Sequence, residues 1–127
     1  MSRTASCSCG QLRVTCEGEP VRVSMCHCLE CQKRTGSTCG AQARWPHGKV
    51  AIQGDATEYV RISDSGNAIT FSFCPRCGST VHYRIELDPD VIAVAIGAFA
   101  DPKFPPPKYS VYESRKHAWT GVPAGAA

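Results

Sequence analysis

The chain has 127 residues, 43% hydrophobic and 20% charged, which is the composition of one globular domain rather than a disordered segment. No apolar run approaches the roughly 20 residues a membrane-spanning helix needs, and the first six residues lack an export signal's apolar stretch. The formal charge of +3 is scattered, with only Lys33-Arg34 and Arg115-Lys116 adjacent, so it forms no basic stripe for a nucleic-acid backbone.

From the N-terminus, Cys7-Ser8-Cys9-Gly10 is followed by β-type runs at 11–16 and 21–25, separated by the turn signal Glu17-Gly18-Glu19-Pro20. Cys26-His27-Cys28-Leu29-Glu30-Cys31 then enters the one helical pattern, 29–35, about two turns closed by Gly36. Further β-type runs occupy 38–45, 50–53, 57–63, 68–74, 80–85 and 91–99. Ser65-Gly66-Asn67 predicts a hairpin turn, and Leu87-Asp88-Pro89-Asp90 a second turn. The proline-rich stretch 101–108 reads as an extended loop, and 121–127 as a flexible tail. The pattern predicts a mostly-β fold of antiparallel strands in a single domain over 3–120.

Seven of the nine cysteines sit in three clusters with metal-ligand spacing: Cys7 and Cys9, then Cys26, Cys28 and Cys31, then Cys74 and Cys77. In Cys74-Pro75-Arg76-Cys77-Gly78 the turn aims backbone N–H groups at the first sulfur, and the glycine permits positive φ. Joined with Cys7 and Cys9, that cluster offers four thiolates, a closed structural zinc site spanning a long stretch of chain. Residues i and i+2 of a strand share a face, so Cys26 and Cys28 converge, and Cys31 reaches back from the first helical turn. His27 points away on that alternation and reads as a structural group. Three thiolates leave one coordination position for an outside thiol. The alternatives are ordinary buried cysteines, a redox trio, or a second structural zinc completed by Cys16, Cys39, His82 or His117. A four-thiolate zinc site lowers the net charge by two and a three-thiolate site by one, cancelling the +3 and weakening a nucleic-acid reading further.

The ordered set C-x-C-G, C-H-C-x-x-C and C-P-x-C-G resembles the glutathione-dependent formaldehyde-activating enzyme family, also called GFA or CENP-V/GFA. The likeness extends through Gly10-Gln11-Leu12-Arg13-Val14, Cys31-Gln32-Lys33-Arg34-Thr35-Gly36 and Ser114-Arg115 to about Trp119. It implies a β-rich Mss4-like fold of folded-over antiparallel sheets (the β-tent type) with one short helix and zinc knuckles. It further implies two Zn²⁺ per chain, a structural one on Cys7, Cys9, Cys74 and Cys77 and a second on Cys26, Cys28 and Cys31. The implied activity is that of a carbon–sulfur lyase; the missing export signal and unpaired cysteine count separately point to a reducing cytoplasm. The implied substrate is a thiol–aldehyde adduct of the S-(hydroxymethyl)glutathione type, bound through sulfur at the open zinc. Glutathione or another small thiol is then the partner, and no nucleic acid or membrane is expected. Lys33, Arg34 and Arg115 are candidates for holding glutathione carboxylates. One departure is that Cys39 and Gly40 stand where members often carry bulky apolar residues. The competing readings are a non-catalytic thiol-binding module with two structural zincs, and a zinc-ribbon module for nucleic acid or protein.

Overall fold

The computed structural model describes residues 1–127. Ten strands follow in chain order: β1 (Ser2–Ser6), β2 (Arg13–Glu17), β3 (Arg22–Cys26), β4 (Gly40–Pro46), β5 (Val50–Gln53), β6 (Thr57–Ile62), β7 (Ala68–Phe73), β8 (Thr80–Ile85), β9 (Asp88–Ala95) and β10 (Tyr109–Val111). The single α-helix, α1, covers Leu29–Thr35 between β3 and β4 and closes on Gly36 in the left-handed region, as expected. The strands form a three-stranded sheet in the order β1-β2-β5 and a seven-stranded sheet in the order β10-β3-β4-β9-β8-β7-β6. Every pairing is antiparallel except that of β10 with β3. The chain is therefore mostly β, with antiparallel sheets and one helix.

Alternation along the strands sorts side chains between two environments. Val23, Ala43, Trp45, Ile92 and Val94 point from the large sheet toward Ala5, Leu12, Val14 and Cys16 of the small one, forming the main core. Trp45 is fully buried, donates its ring N–H to Gly18 O at 3.0 Å, and packs against Phe99 and Phe104. Truncating an aromatic side chain buried to that degree typically costs roughly 3–5 kcal/mol. The opposite face carries Phe71, Tyr83 and Ala93 as a smaller cluster. Register aligns Arg22, Arg44, Ala93, Tyr83, Phe71 and Tyr59 as one rung across six strands of this second face.

The structure departs from the sequence reading at several points. Residues 2–6 form an edge strand, and 109–111 a short parallel one. The expected turn at Leu87–Asp90 shrinks to a tight hairpin at Glu86 and Leu87, with Asp88 already paired to Ile85. Residues 96–99 form a 3-10 turn rather than the end of a strand. The 121–127 segment lies back on the domain: Ala127 donates to Lys108 O at 2.9 Å, and its carbonyl accepts from Ser110 N at 2.8 Å.

His82 on β8 is buried, and neither ring nitrogen has a hydrogen-bond partner. Burial, and then the charge of Arg84, lower its pKa below the usual 6.5. The unfolded chain therefore takes up a proton at a pH where the folded chain does not. Stability is complete above about pH 6.5 and is lost as pH falls below it, by up to about 1.4 kcal/mol per pH unit. His82→Leu should flatten the melting temperature between about pH 6.5 and 5.5, measured where metal content is constant. An unchanged acid slope in that variant rules His82 out as its source.

Candidate metal centres and cleft

The turns after β1 and between β7 and β8 fold alike. Cys7 and Cys74 accept the amides of Gly10 and Gly78 at 3.0 and 2.8 Å, and both glycines have positive φ, +84° and +80°. Ser8 ties the turns together through its N–H and hydroxyl, 3.2 and 3.0 Å from Ser79 Oγ. The sulfurs of Cys7, Cys9, Cys74 and Cys77 all lie within 4.8 Å of one another. Cys9 Sγ is 3.6 Å from both Cys7 Sγ and Cys74 Sγ. Tetrahedral zinc with bonds of about 2.3 Å sets sulfurs about 3.8 Å apart, so the donor set fits. Leu12 N donates to Cys7 Sγ at 3.3 Å, while Arg76 N and Gln11 Nε2 donate to Cys74 Sγ at 3.3 and 3.0 Å. Hydrogen bonding to Ser79 pulls the Cys77 thiol down to about 5. Gln11 also bonds both backbone groups of Asp55, and a Cβ on Gly54 would collide with Gln11 O. Glycine there lets this loop close against the knuckle.

The second cluster sits where β3 runs into α1. Cys26 ends the strand, Cys28 caps the helix by accepting Cys31 N–H at 3.2 Å, and Cys31 is buried in the first turn. Their sulfurs lie within 4.8 Å of one another, with Cys28 and Cys31 at 3.0 Å. A hydrogen bond from Cys31 lowers the Cys26 pKa, and the same bond raises that of Cys31. His27 is turned away and fully buried, its Nε2 2.9 Å from Ser110 Oγ. Of the proposed fourth ligands, Cys16, Cys39, His82 and His117 all fall outside the group. Cys16 is in the main core, and His117 Nε2 is engaged with Gln32 Oε1 at 2.9 Å. Each cluster can thus hold a metal ion, one with four sulfurs and one with three.

The trio lines a cleft of about 410 Å³ on the second face of the large sheet, which none of the other four sulfurs reaches. Lys33, Arg34 and Arg115, the candidates for glutathione carboxylates, all line it. Arg115 meets Asp64 across the mouth at 3.8 Å, and Lys33 pairs loosely with Glu30 at 3.9 Å. Arg34 lies with its guanidinium 4.8 Å from the Phe71 ring centroid and 5.3 Å from that of Tyr83. A Cβ on Gly40 would meet Arg34 Nη2 at 2.8 Å and Cys31 Cβ at 3.6 Å. The Arg34 guanidinium thus lies against the open side of Gly40. Sequence reasoning missed Arg22, Arg44, Arg61, Ser24, Gln42 and Tyr83, which also line the cleft. For Arg22 and Ser24 the available signal was i, i+2 parity with Cys26, and for Gln42 and Arg44 parity with Gly40; Arg61 and Tyr83 carried none. In all, six cationic side chains face two carboxylates, Glu30 and Asp64.

A family model described as "Glutathione-dependent formaldehyde-activating enzyme" matches residues 2–115. A crystal structure of a Rhodobacter sphaeroides protein, a Northeast Structural Genomics target, is similar with a TM-score of 0.59 and 19% identity. The match covers 75% of this chain and 85% of that one, and it speaks for the fold alone. No curated protein matches the chain.

Proposed function

Because the chain belongs to the glutathione-dependent formaldehyde-activating enzyme family, we propose that it is a zinc-dependent carbon–sulfur lyase for an adduct of the S-(hydroxymethyl)glutathione type. Cys26, Cys28 and Cys31 are the ligands of a working zinc, and Cys7, Cys9, Cys74 and Cys77 those of a structural one. Both belong to a single domain over 3–120. One observation carries this reading: three sulfurs converge on the wall of a cationic cleft with no fourth protein ligand, while the other four converge elsewhere. Zinc at the trio supplies a Lewis acid that keeps a bound thiol deprotonated near neutral pH.

The chain's own residues position the reactants. Arg34, Lys33 and Arg115 carry the positive charge that recognises glutathione carboxylates. Tyr83 lines the same cleft, and burial raises its pKa, so it keeps its proton. The charge of Arg34 opposes that rise, and those of Cys31 and Cys26 add to it. Tyr83 is the candidate donor to the aldehyde oxygen. The substrate thiolate adds to the carbonyl carbon, forming the carbon–sulfur bond as the π pair moves to oxygen, which then takes a proton. In reverse the oxygen loses its proton and the carbon–sulfur bond breaks. Nine free cysteines suit the reducing cytoplasm this chemistry implies.

The test mixes glutathione and formaldehyde with and without zinc-loaded protein and follows adduct formation. The expected acceleration is on the order of 100-fold, lost on chelation of zinc. Saturable glutathione binding with no acceleration would instead establish a thiol-binding module.

A further inference from the structure

Arg22 and Arg44 stand directly opposite each other on β3 and β4, on the cleft face. Like charges placed so repel, and each is partly withdrawn from water. The Nε atoms of both are buried without a hydrogen-bond partner. Asp88 is the only carboxylate within ion-pair distance of either, 3.6 Å from Arg44 Nη1, and it is itself half-exposed. Arg22 stacks on Tyr109 instead, 4.1 Å from the ring centroid, which fixes its guanidinium without neutralising it. Burial and the charge of Arg22 both lower the Arg44 pKa, the electrostatic signature of an undercompensated pair.

The pair also has a fixed relation to the trio. Cys26, Ser24 and Arg22 follow one another on one face of β3, opposite Gly40, Gln42 and Arg44 of β4. Four residues of strand put Arg22 about 13 Å from Cys26, measured between Cα atoms. Between them Gln42 donates to Ser24 Oγ at 2.8 Å and leaves its buried Oε1 without a partner. The track therefore runs from sulfur ligands, past an amide-reading pair, to a cationic pair. An extended peptide advances about 3.3–3.6 Å per residue, so the span suits a short peptide thiol and overshoots a two-carbon thiol.

We propose that Arg22 and Arg44 form an anion subsite that binds the carboxylate of a peptide thiol remote from its sulfur, and so select substrates by length. This rests on the thiol reading of the trio and adds a specificity determinant to it. Arg34 and Lys33 lie on α1 beside the trio and serve a nearer charge.

The test uses zinc-loaded protein and three probes in calorimetric titration: glutathione, its sulfur-free analogue with alanine for cysteine, and 2-mercaptoethanol. Arg22→Gln should weaken both tripeptides by about 30-fold, the worth of a charged hydrogen bond, and leave 2-mercaptoethanol unchanged. Arg44→Gln is the second variant and should do the same. Tripeptide affinity in the wild type should also fall with added salt. Unchanged tripeptide affinity in both variants overturns the subsite, as does equal weakening of 2-mercaptoethanol. So does failure of both tripeptides to bind the wild type. If glutathione binds no more tightly than its sulfur-free analogue, yet both need Arg22, the subsite stands and the thiol reading of the trio falls.

Discussion

Cys74→Ser is expected to unfold the domain, the largest effect of any single change in the chain. Cys74 is fully buried within the main core, and its sulfur receives hydrogen bonds from Arg76 N and Gln11 Nε2. It also belongs to the four-sulfur group that joins the turn after β1 to the turn before β8. Binding at such a site supplies roughly 10–16 kcal/mol of apparent free energy in small zinc domains. A domain has only about 5–15 kcal/mol of net stability. Losing one of four ligands therefore removes a large share of it. Closing so long a loop adds to the loss, because the metal-free chain must order both ends without a tie. The measurements are zinc per chain by elemental analysis and thermal melting by circular dichroism. The control is Cys16→Ala, buried in the same core but outside the sulfur group, which should fold with its zinc intact. A Cys74→Ser protein that melts like the wild type and keeps its metal would remove the structural role from this site.

The sulfur code was the most legible part of the sequence because ligand spacing is local and turn chemistry is specific. Cys74-Pro75-Arg76-Cys77-Gly78 forecast both the N–H groups on the first sulfur and the positive φ of Gly78, and both are present. Helix α1 was equally readable, since Gly36 stops it; its cap by Cys28 appears only in the structure. Strand β1 escaped notice because Ser-Arg-Thr-Ala-Ser shows almost no hydrophobic alternation. Only Ala5 enters the core, and pairing with β2 does the rest. Strand β10 is three residues long, behind a proline-rich loop, and its parallel partner β3 is far away in sequence. The cationic cleft was half-legible. Lys33 and Arg34 stood next to a cysteine cluster and drew attention. Arg22 and Arg44 alternate with Val23 and Ala43 in strands whose apolar residues were the ones counted. Their neighbourhood depends on cross-strand register, which local spacing does not contain.

Gly40 shows how one local oddity resolves in three dimensions. As sequence it was only a small residue that the resemblance marked as a departure. In the structure, the volume its side chain would fill holds the Arg34 guanidinium, packed between Cys31 and the rings of Phe71 and Tyr83. Positive charge thus lies at the wall of the trio.

Cys28→Ser is expected to abolish the proposed activity and leave the fold standing, which separates the two sulfur clusters by function. All three cysteines of the second group lie within six residues, 26–31, so a metal there closes no long loop and adds little to the stability of the sheets. Serine also preserves what Cys28 does for α1, because its hydroxyl can accept the Cys31 N–H that the sulfur accepts now. The cost in stability should stay near 1 kcal/mol, against collapse in Cys74→Ser. Metal content should fall from about two zincs per chain to about one, since a hydroxyl replaces one of only three thiolates. The acceleration of adduct formation should vanish with it, and glutathione affinity should drop to that of its sulfur-free analogue. Two results would defeat the argument: unfolding as complete as that of Cys74→Ser, which would make the trio a second structural clasp, or full activity with one zinc, which would move the chemistry away from these sulfurs.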